Sequence, residues 1–149
     1  MTKLGLTDDR LTTMNLLSEA YHGLSCLVTE LFDRHQLTAI EFDVLRHLAG
    51  ERDNRLRMSD LAALTRFSQS GMTRVVDRLQ QRGLVQREAC GDDRRSWYAV
   101  ATGTGLDRLR TALPDYLDLI QRFVVDQASC DQLRATVATL RAIRTATVA

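Results

Sequence analysis

The stretch from Ser59 to Thr102, SDLAALTRFSQSGMTRVVDRLQQRGLVQREACGDDRRSWYAVAT, decides the fold of this chain. Apolar residues at helical spacing follow both Ser59 and Ser68, so each serine is predicted to cap a short helix. Gly83 is placed to end the second helix, because glycine readily adopts the left-handed conformation found there. Two strands joined by an arginine-rich turn follow at residues 84–101. The pattern therefore predicts two helices, a tight turn and a β-hairpin.

The second of these helices, residues 69–82, has two distinct faces. Its apolar positions recur at helical spacing and form one stripe: Met72, Val75, Val76 and Leu79. The opposite face is polar and carries Ser70, Thr73, Arg74, Asp77 and Gln81. Small side chains allow a helix to approach DNA bases closely, and arginine can bind guanine through two hydrogen bonds. We therefore predict a winged helix-turn-helix, with the helix-turn-helix at about 59–82 and the wing at 84–101.

The flanking segments are predicted to be helical. Residues 8–34 contain a broad apolar stripe, and a capping box at Thr38 and Glu41 begins the next helix. Helices are also expected over 103–147, where Pro114 should kink or break the first and a second S-x-x-Q box begins the last. The fold class is thus mainly α with a small β-hairpin wing, in one domain of residues 1–149 whose winged part covers 38–101.

The charge distribution favours a nucleic-acid partner. The net charge of the 149 residues is only +1, but from Arg52 to Arg95 ten arginines face six acidic residues, a local charge of +4. No apolar run has the length of a membrane span, and no signal-peptide pattern precedes the first helix. We therefore expect a cytoplasmic protein with no membrane partner.

Three segments resemble the MarR family of bacterial transcription regulators: LTAIEFDVLRHLA, TRVVDRLQQRGLV and DDRRSWYAVATGTG. Asp93, Arg95, Thr102 and Gly105 match the wing pattern of that family. The resemblance implies a repressor that binds a pseudo-palindromic operator as a homodimer. It also implies that residues 8–34 and 103–147 supply the dimerisation helices.

A set of residues is expected to contact the operator DNA. They are Ser59, Ser68, Ser70, Thr73, Arg74, Arg78, Arg94 and Arg95. Asp77 would repel phosphate unless a cation neutralises it, and the wing offers Arg94 and Arg95 for this purpose. In the family an aspartate at the Asp77 position pairs with the wing arginine, so the resemblance implies an Asp77–Arg95 salt bridge that leaves Arg94 for DNA.

The resemblance also implies a small aromatic or phenolic effector. Such ligands bind between the dimer helices and the winged domain, where Tyr21, His22, Phe32 and His35 are the candidate lining residues. The alternative, which we favour, is that the two aromatic residues pack in an interface core and the histidines are solvated or hydrogen-bonded.

Two other classes of regulator remain open from the sequence. A redox sensor would act through a cysteine, but Cys26 is expected to be buried and Cys90 to be exposed in the wing without a dedicated activating group. A winged helix that docks onto proteins would not need the basic, polar helix face. No cysteine or histidine spacing specifies a metal, no cofactor motif occurs, and no catalytic set indicates an enzyme.

Overall fold

A computed structural model describes residues 8–91 and 93–147, with the backbone alone at residues 93–95. The chain divides into two compact units, Met1–Leu113 and Pro114–Ala149. The elements in chain order are α1 (Asp9–Arg34), α2 (Ala39–Ala49), β1 (Arg55–Arg57), α3 (Met58–Thr65), α4 (Gln69–Gln81), β2 (Val85–Cys90), β3 (Asp93–Ala101), α5 (Gly103–Phe123) and α6 (Cys130–Thr147). The predicted fold class, mainly helical with a small hairpin, is confirmed.

The start of α2 is fixed by its own first residues. The Thr38 hydroxyl accepts a hydrogen bond from the Glu41 amide at 3.3 Å, and the Glu41 carboxylate accepts one from the Thr38 amide at 2.9 Å. This confirms the predicted capping box, which satisfies two amides that a helix start leaves open. Phe32, in the last turns of α1, stacks on Phe42 with 4.4 Å between ring centroids. The end of α1 is therefore anchored on α2.

Helix α3 begins two residues earlier than the sequence suggests. Its N-cap is Arg57, which makes no capping hydrogen bond through its side chain, and Ser59 lies inside the first turn. The predicted Ser59 cap is wrong because β1 holds the chain extended through Arg57, so the helix starts at Met58. At the other end, Arg66 adopts a left-handed conformation with φ 56°, which reverses the chain before α4.

Helix α4 lies against the core through the predicted stripe. Met72, Val75, Val76 and Leu79 are all buried. Leu45 and Leu48 of α2 and Leu61 of α3 are also fully buried and complete this part of the core. Gly83 ends this segment with φ 69°, as the sequence predicts. Leu84 then enters the core, and the chain continues into the sheet.

The sheet has three antiparallel strands in the order β1-β3-β2. Arg57 pairs with Tyr98 across β1 and β3, and Val85 pairs with Ala101 across β2 and β3. Because side chains alternate between the faces of a strand, Val85, Arg87, Ala99 and Ala101 share one face. Both Ala99 and Val85 are buried, so this face lies toward the helices.

Helix α5 begins in direct contact with the end of α4. The Thr102 hydroxyl accepts from the Gly105 amide at 3.1 Å and donates to the Gly83 carbonyl at 2.7 Å. Pro114 lies within α5, which continues to Phe123, so the expected break does not form. In the second unit, Ser129 and Gln132 form the predicted capping box at the start of α6. No described helix combines the length and the apolar run that spanning a bilayer requires.

Candidate nucleic-acid interface

The start of α4 is held by Ser68. Its hydroxyl accepts a hydrogen bond from the Gly71 amide at 3.0 Å, which confirms the predicted cap. The Ser70 hydroxyl lies 3.3 Å from that of Ser68, so the two hydroxyls adjoin at the helix N-terminus. This end of a helix carries a partial positive charge and open amides, which favour a nearby phosphate.

The outward face of α4 presents the residues expected to read DNA. Ser70, Thr73 and Arg74 are exposed. The Thr73 hydroxyl donates to the Gln69 carbonyl at 2.9 Å, so its oxygen remains available as an acceptor. Arg74 has no hydrogen-bond or ion-pair partner among the residues that the structure describes. Its guanidinium is therefore a cation on the outward face that no described side chain or carbonyl neutralises.

Asp77 pairs with Arg87, an arginine that was not among the residues predicted from the sequence. Arg87 of β2 donates to the Asp77 carboxylate at 2.7 Å and to the Thr73 carbonyl at 3.2 Å. The expected partner, the Arg95 side chain, lies outside the described residues, as does that of Arg94. Arg87 is an inward-facing residue of β2, two positions from buried Val85. That alternation is the sequence signal that could have identified it.

Arg87 attaches the sheet to α4, the predicted recognition helix. One of its nitrogens, Nη2, contacts both the side chain of Asp77 and the backbone one turn earlier, while its Nε is buried without a partner among the described residues. The ion pair is partly exposed, with 26% of the Arg87 side chain and 45% of the Asp77 side chain accessible. A partly exposed ion pair contributes little to the free energy of unfolding. Its role is to fix the base of the wing against α4 and to neutralise a carboxylate close to the outward face of that helix.

Two of the residues expected to contact DNA, Arg78 and Ser59, lie outside the outward face of α4. The Arg78 guanidinium is turned toward α2, where its Nε lies 3.5 Å from the Glu41 carboxylate. Ser59 is exposed in the first turn of α3, with its hydroxyl 3.3 Å from the Asp60 carboxylate. Ser59 nevertheless borders a cavity of about 420 Å³ with Thr73, Arg87 and other residues of α4 and the sheet. The structure therefore brings Ser59 close to the outward face of α4 but directs the Arg78 guanidinium away from that face.

Comparison with known proteins supports a DNA-binding role for this face. A sequence profile of the MarR family matches residues 35–96. The HTH-type transcriptional regulator MhqR of Bacillus subtilis (strain 168) is 29% identical over 119 residues, which cover 80% of this chain and 81% of that protein. The crystal structure of AbsC, a MarR family transcriptional regulator from Streptomyces coelicolor, matches with a TM-score of 0.91 at 27% identity, over 94% of this chain and 95% of that one.

The chain is similar in sequence and in fold to MarR family transcription regulators. These similarities identify it as a DNA-binding transcription regulator, and the relatives that it matches are regulators rather than enzymes. A second solved member, Sco3205 from Streptomyces coelicolor, was crystallised in complex with DNA. It matches with a TM-score of 0.80 at 26% identity, over 91% of this chain and 88% of that one.

The candidate effector residues of this MarR-like chain do not all border one open space. Tyr21 is 74% exposed and His22 is exposed on the middle turns of α1. Phe32 is buried in the core against Phe42, and His35 is half-buried in the turn after α1. Phe32 is thus buried within its own chain, whereas the favoured alternative from the sequence placed it in an interface core. Tyr21 is uncovered within the described chain.

The cysteines differ from both expectations. Cys90 is only 7% exposed, because Arg57 and Tyr98 cover its sulfur at 3.8 Å and 3.9 Å. The Tyr98 hydroxyl also accepts from Arg57 Nε, and this hydrogen bond raises the pKa of the Arg57 guanidinium. Cys26, expected to be buried, is exposed with its sulfur 3.9 Å from His22 Nε2. Over residues 8–91 and 93–147, no cluster of three or more His, Cys, Asp or Glu residues could hold a metal ion.

Proposed function

We propose that this protein represses transcription as a homodimer that binds a pseudo-palindromic operator through α4 and the wing of each subunit. The observation that carries the proposal is the outward face of α4, where Ser70, Thr73 and Arg74 are exposed and Arg74 has no partner among the described residues. A face of this kind suits the major groove, in which small side chains permit close approach and arginine selects guanine. Because such a regulator acts on the chromosome, we also propose a cytoplasmic location.

Uncovered apolar side chains support the second copy. On α1, Met14 and Leu16 are 60% and 61% exposed, and Tyr21 is more exposed still. In the second unit, α6 has no buried residue among those described, although Val137, Leu140 and Ile143 recur at helical spacing. Apolar surface of this extent on a helix usually lies in an interface. A second copy of the chain, with recognition helices about 34 Å apart, would cover it and fit two operator half-sites.

The DNA-reading part of the proposal is tested with the intergenic DNA upstream of the gene itself. We expect Arg74→Ala to weaken binding by about 1–3 kcal/mol and to relax preference at one base position. Arg46→Ala is the matched control, because Arg46 is also an exposed helical arginine but pairs with Asp43 at 2.6 Å on α2. Arg94→Ala tests the wing in the same assay. Operator binding like that of wild type by both Arg74→Ala and Arg94→Ala would refute the groove-and-wing arrangement.

The homodimer is tested separately by sedimentation velocity. Leu140→Asp places a charge in the apolar stripe of α6, and we expect it to lower the dimer fraction and to weaken operator binding together. A surface control is Arg134→Ala on the same helix, where the arginine side chain is 82% exposed. A wild-type chain that sediments as a monomer at micromolar concentration would contradict the dimer.

The effector is the remaining part of the proposal. We propose a small aromatic or phenolic compound, on the strength of the resemblance to the MarR family alone. An effector changes operator occupancy only if it binds the free and DNA-bound states with different affinity. A thermal-shift screen of phenols and aromatic acids, run with and without operator DNA, therefore tests the proposal. A compound that raises the melting temperature equally in both series would not be the effector.

A further inference from the structure

The turn that joins α1 to α2 is held in an unusual conformation. Gln36 has φ 55°, in the left-handed region that glycine and asparagine adopt readily and glutamine rarely does. A residue in that region persists when its surroundings determine the conformation. The turn is also pinned from α1, since the Gln36 amide donates to the Asp33 carbonyl at 3.0 Å.

Two arginines from distant parts of the chain donate hydrogen bonds to this turn. Arg82, the residue after α4, donates through Nη2 to the Gln36 carbonyl. Arg108 of α5 donates through Nη1 to the His35 carbonyl and to the Gln36 side-chain oxygen, each at 2.9 Å. Gln36 is therefore the residue that both arginines contact, one through its backbone and one through its side chain.

Glu41 provides a second attachment for the end of α4. Its carboxylate is 3% exposed and accepts from Arg82 Nη1 at 3.2 Å, while Arg78 Nε lies 3.5 Å away. Arg82 thus donates to the turn and to α2 at the same time. The C-terminal end of the recognition helix is fixed by polar contacts to the turn and α2, in addition to its apolar stripe.

We infer that Gln36 is a positioning residue for operator binding: by joining Arg82 to Arg108 it couples the end of the recognition helix to α1 and α5 without touching DNA. The inference rests on the proposed function, because it assigns the α4 face to the operator. A displacement of α5 that draws Arg108 away releases the Gln36 side chain. The left-handed turn then loses one of the contacts that maintain it, and Arg82 loses a fixed acceptor. The turn between α1 and α2 is thereby a place where changes in the flanking helices alter the angle of α4.

Variants on α5 separate positioning from direct contact. We expect Arg108→Ala to weaken operator binding by about 2- to 30-fold, the range of measured couplings between sites. The slope of log Kd against log salt should stay unchanged, since a lost phosphate contact would reduce it by about 0.9. Arg110→Ala is the control: Arg110 lies on the same helix, pairs with Asp107 at 2.6 Å and makes no described contact with the turn.

A second variant keeps the test independent of folding. Gln36→Gly removes the side-chain contact to Arg108 and relieves the left-handed strain, so its melting temperature should equal or exceed that of wild type. We expect its operator affinity to fall in the same range as for Arg108→Ala. A stabilised protein with weakened operator binding cannot be explained by a purely structural role of Gln36.

The outcomes distinguish this inference from the function on which it rests. Wild type that binds no DNA would overturn both. Wild type that binds the operator, with Arg108→Ala and Gln36→Gly binding within two-fold of it, would overturn only the positioning role. A reduced salt slope for Arg108→Ala would also overturn that role, because it would place Arg108 on the phosphate backbone.

Discussion

Gly105 is the position where a single methyl group should do the most damage to the winged domain. A Cβ added there would overlap the carbonyl oxygen of Leu84, lie 3.0 Å from the Leu84 carbonyl carbon and lie 3.1 Å from Leu45 Cδ2. The obstacle is mainly backbone, and Leu84 cannot give way freely. Its amide donates to Leu79 at 2.9 Å and its carbonyl accepts from Thr102 at 3.1 Å.

The expected cost of Gly105→Ala follows from these contacts. Inserting a methyl into a packed core costs roughly 1–3 kcal/mol and occasionally more, and a backbone obstacle places this substitution at the upper end. Alanine recovers at most about 1 kcal/mol through its better helix propensity. We therefore expect the free energy of unfolding to fall by about 2–3 kcal/mol, which corresponds to roughly 5–10 °C in the melting temperature of a chain this long.

Gly103→Ala is the matched control for that measurement. Gly103 is in the same turn of α5, is exposed, and a Cβ there meets no described atom within 4 Å. We expect it to melt at or slightly above the temperature of wild type. Circular dichroism at one fixed protein concentration compares the variants, because dimer formation would make the melting temperature depend on concentration. If Gly105→Ala melts no lower than Gly103→Ala, the close approach to Leu84 is not what requires glycine.

Three further substitutions or conditions have defined outcomes. Arg87→Ala should weaken operator binding about 10-fold, because it releases the base of the wing from α4 and leaves the Asp77 charge unneutralised near DNA. Adding Asp77→Asn should recover part of that loss, and an anisotropy titration measures both variants. Glu41→Gln should lower the free energy of unfolding by about 1–3 kcal/mol, measured by urea denaturation, since a neutral amide satisfies its arginine partners less well. The hydrogen bonds from Arg10 lower the pKa of the Asp8 carboxyl below its ordinary 3.8. The ionised Asp8 therefore caps α1 fully above pH 3.8, and the cap is lost as the pH falls through the lowered pKa. Amide exchange in the first turn of α1 should rise only at such acid pH.

Features that depend on neighbouring residues could be predicted from the sequence. The Thr38–Glu41 box, the Ser68 cap and the left-handed Gly83 each depend on residues within one helical turn. The buried stripe of α4 follows from helical spacing in the same way. Local chemistry was therefore sufficient to place α2, α4 and the hairpin in order.

Features that depend on strand pairing could not be predicted from the sequence. Ser59 was expected to cap α3, but the pairing of Arg57 with Tyr98 extends the chain up to that helix. The same pairing covers Cys90, which the sequence alone placed in an exposed wing. Both errors have one cause: the register of β1 against β3 joins residues about forty positions apart, and no local pattern encodes it.

The ion pair of Asp77 depends both on local helix geometry and on long-range strand pairing. The sequence correctly identified Asp77 as a carboxylate that requires a cation, because its position on the helix is a local property. Which arginine supplies that cation depends on the face of β2 that lies toward α4, and Arg87 reaches it at 2.7 Å. At the C-terminal end of α4, Arg82 contacts Glu41 and the turn after α1. The helix is thus attached to the sheet through its middle turns and to the α1–α2 turn at its C-terminal end, so a change in either attachment alters its presentation to DNA.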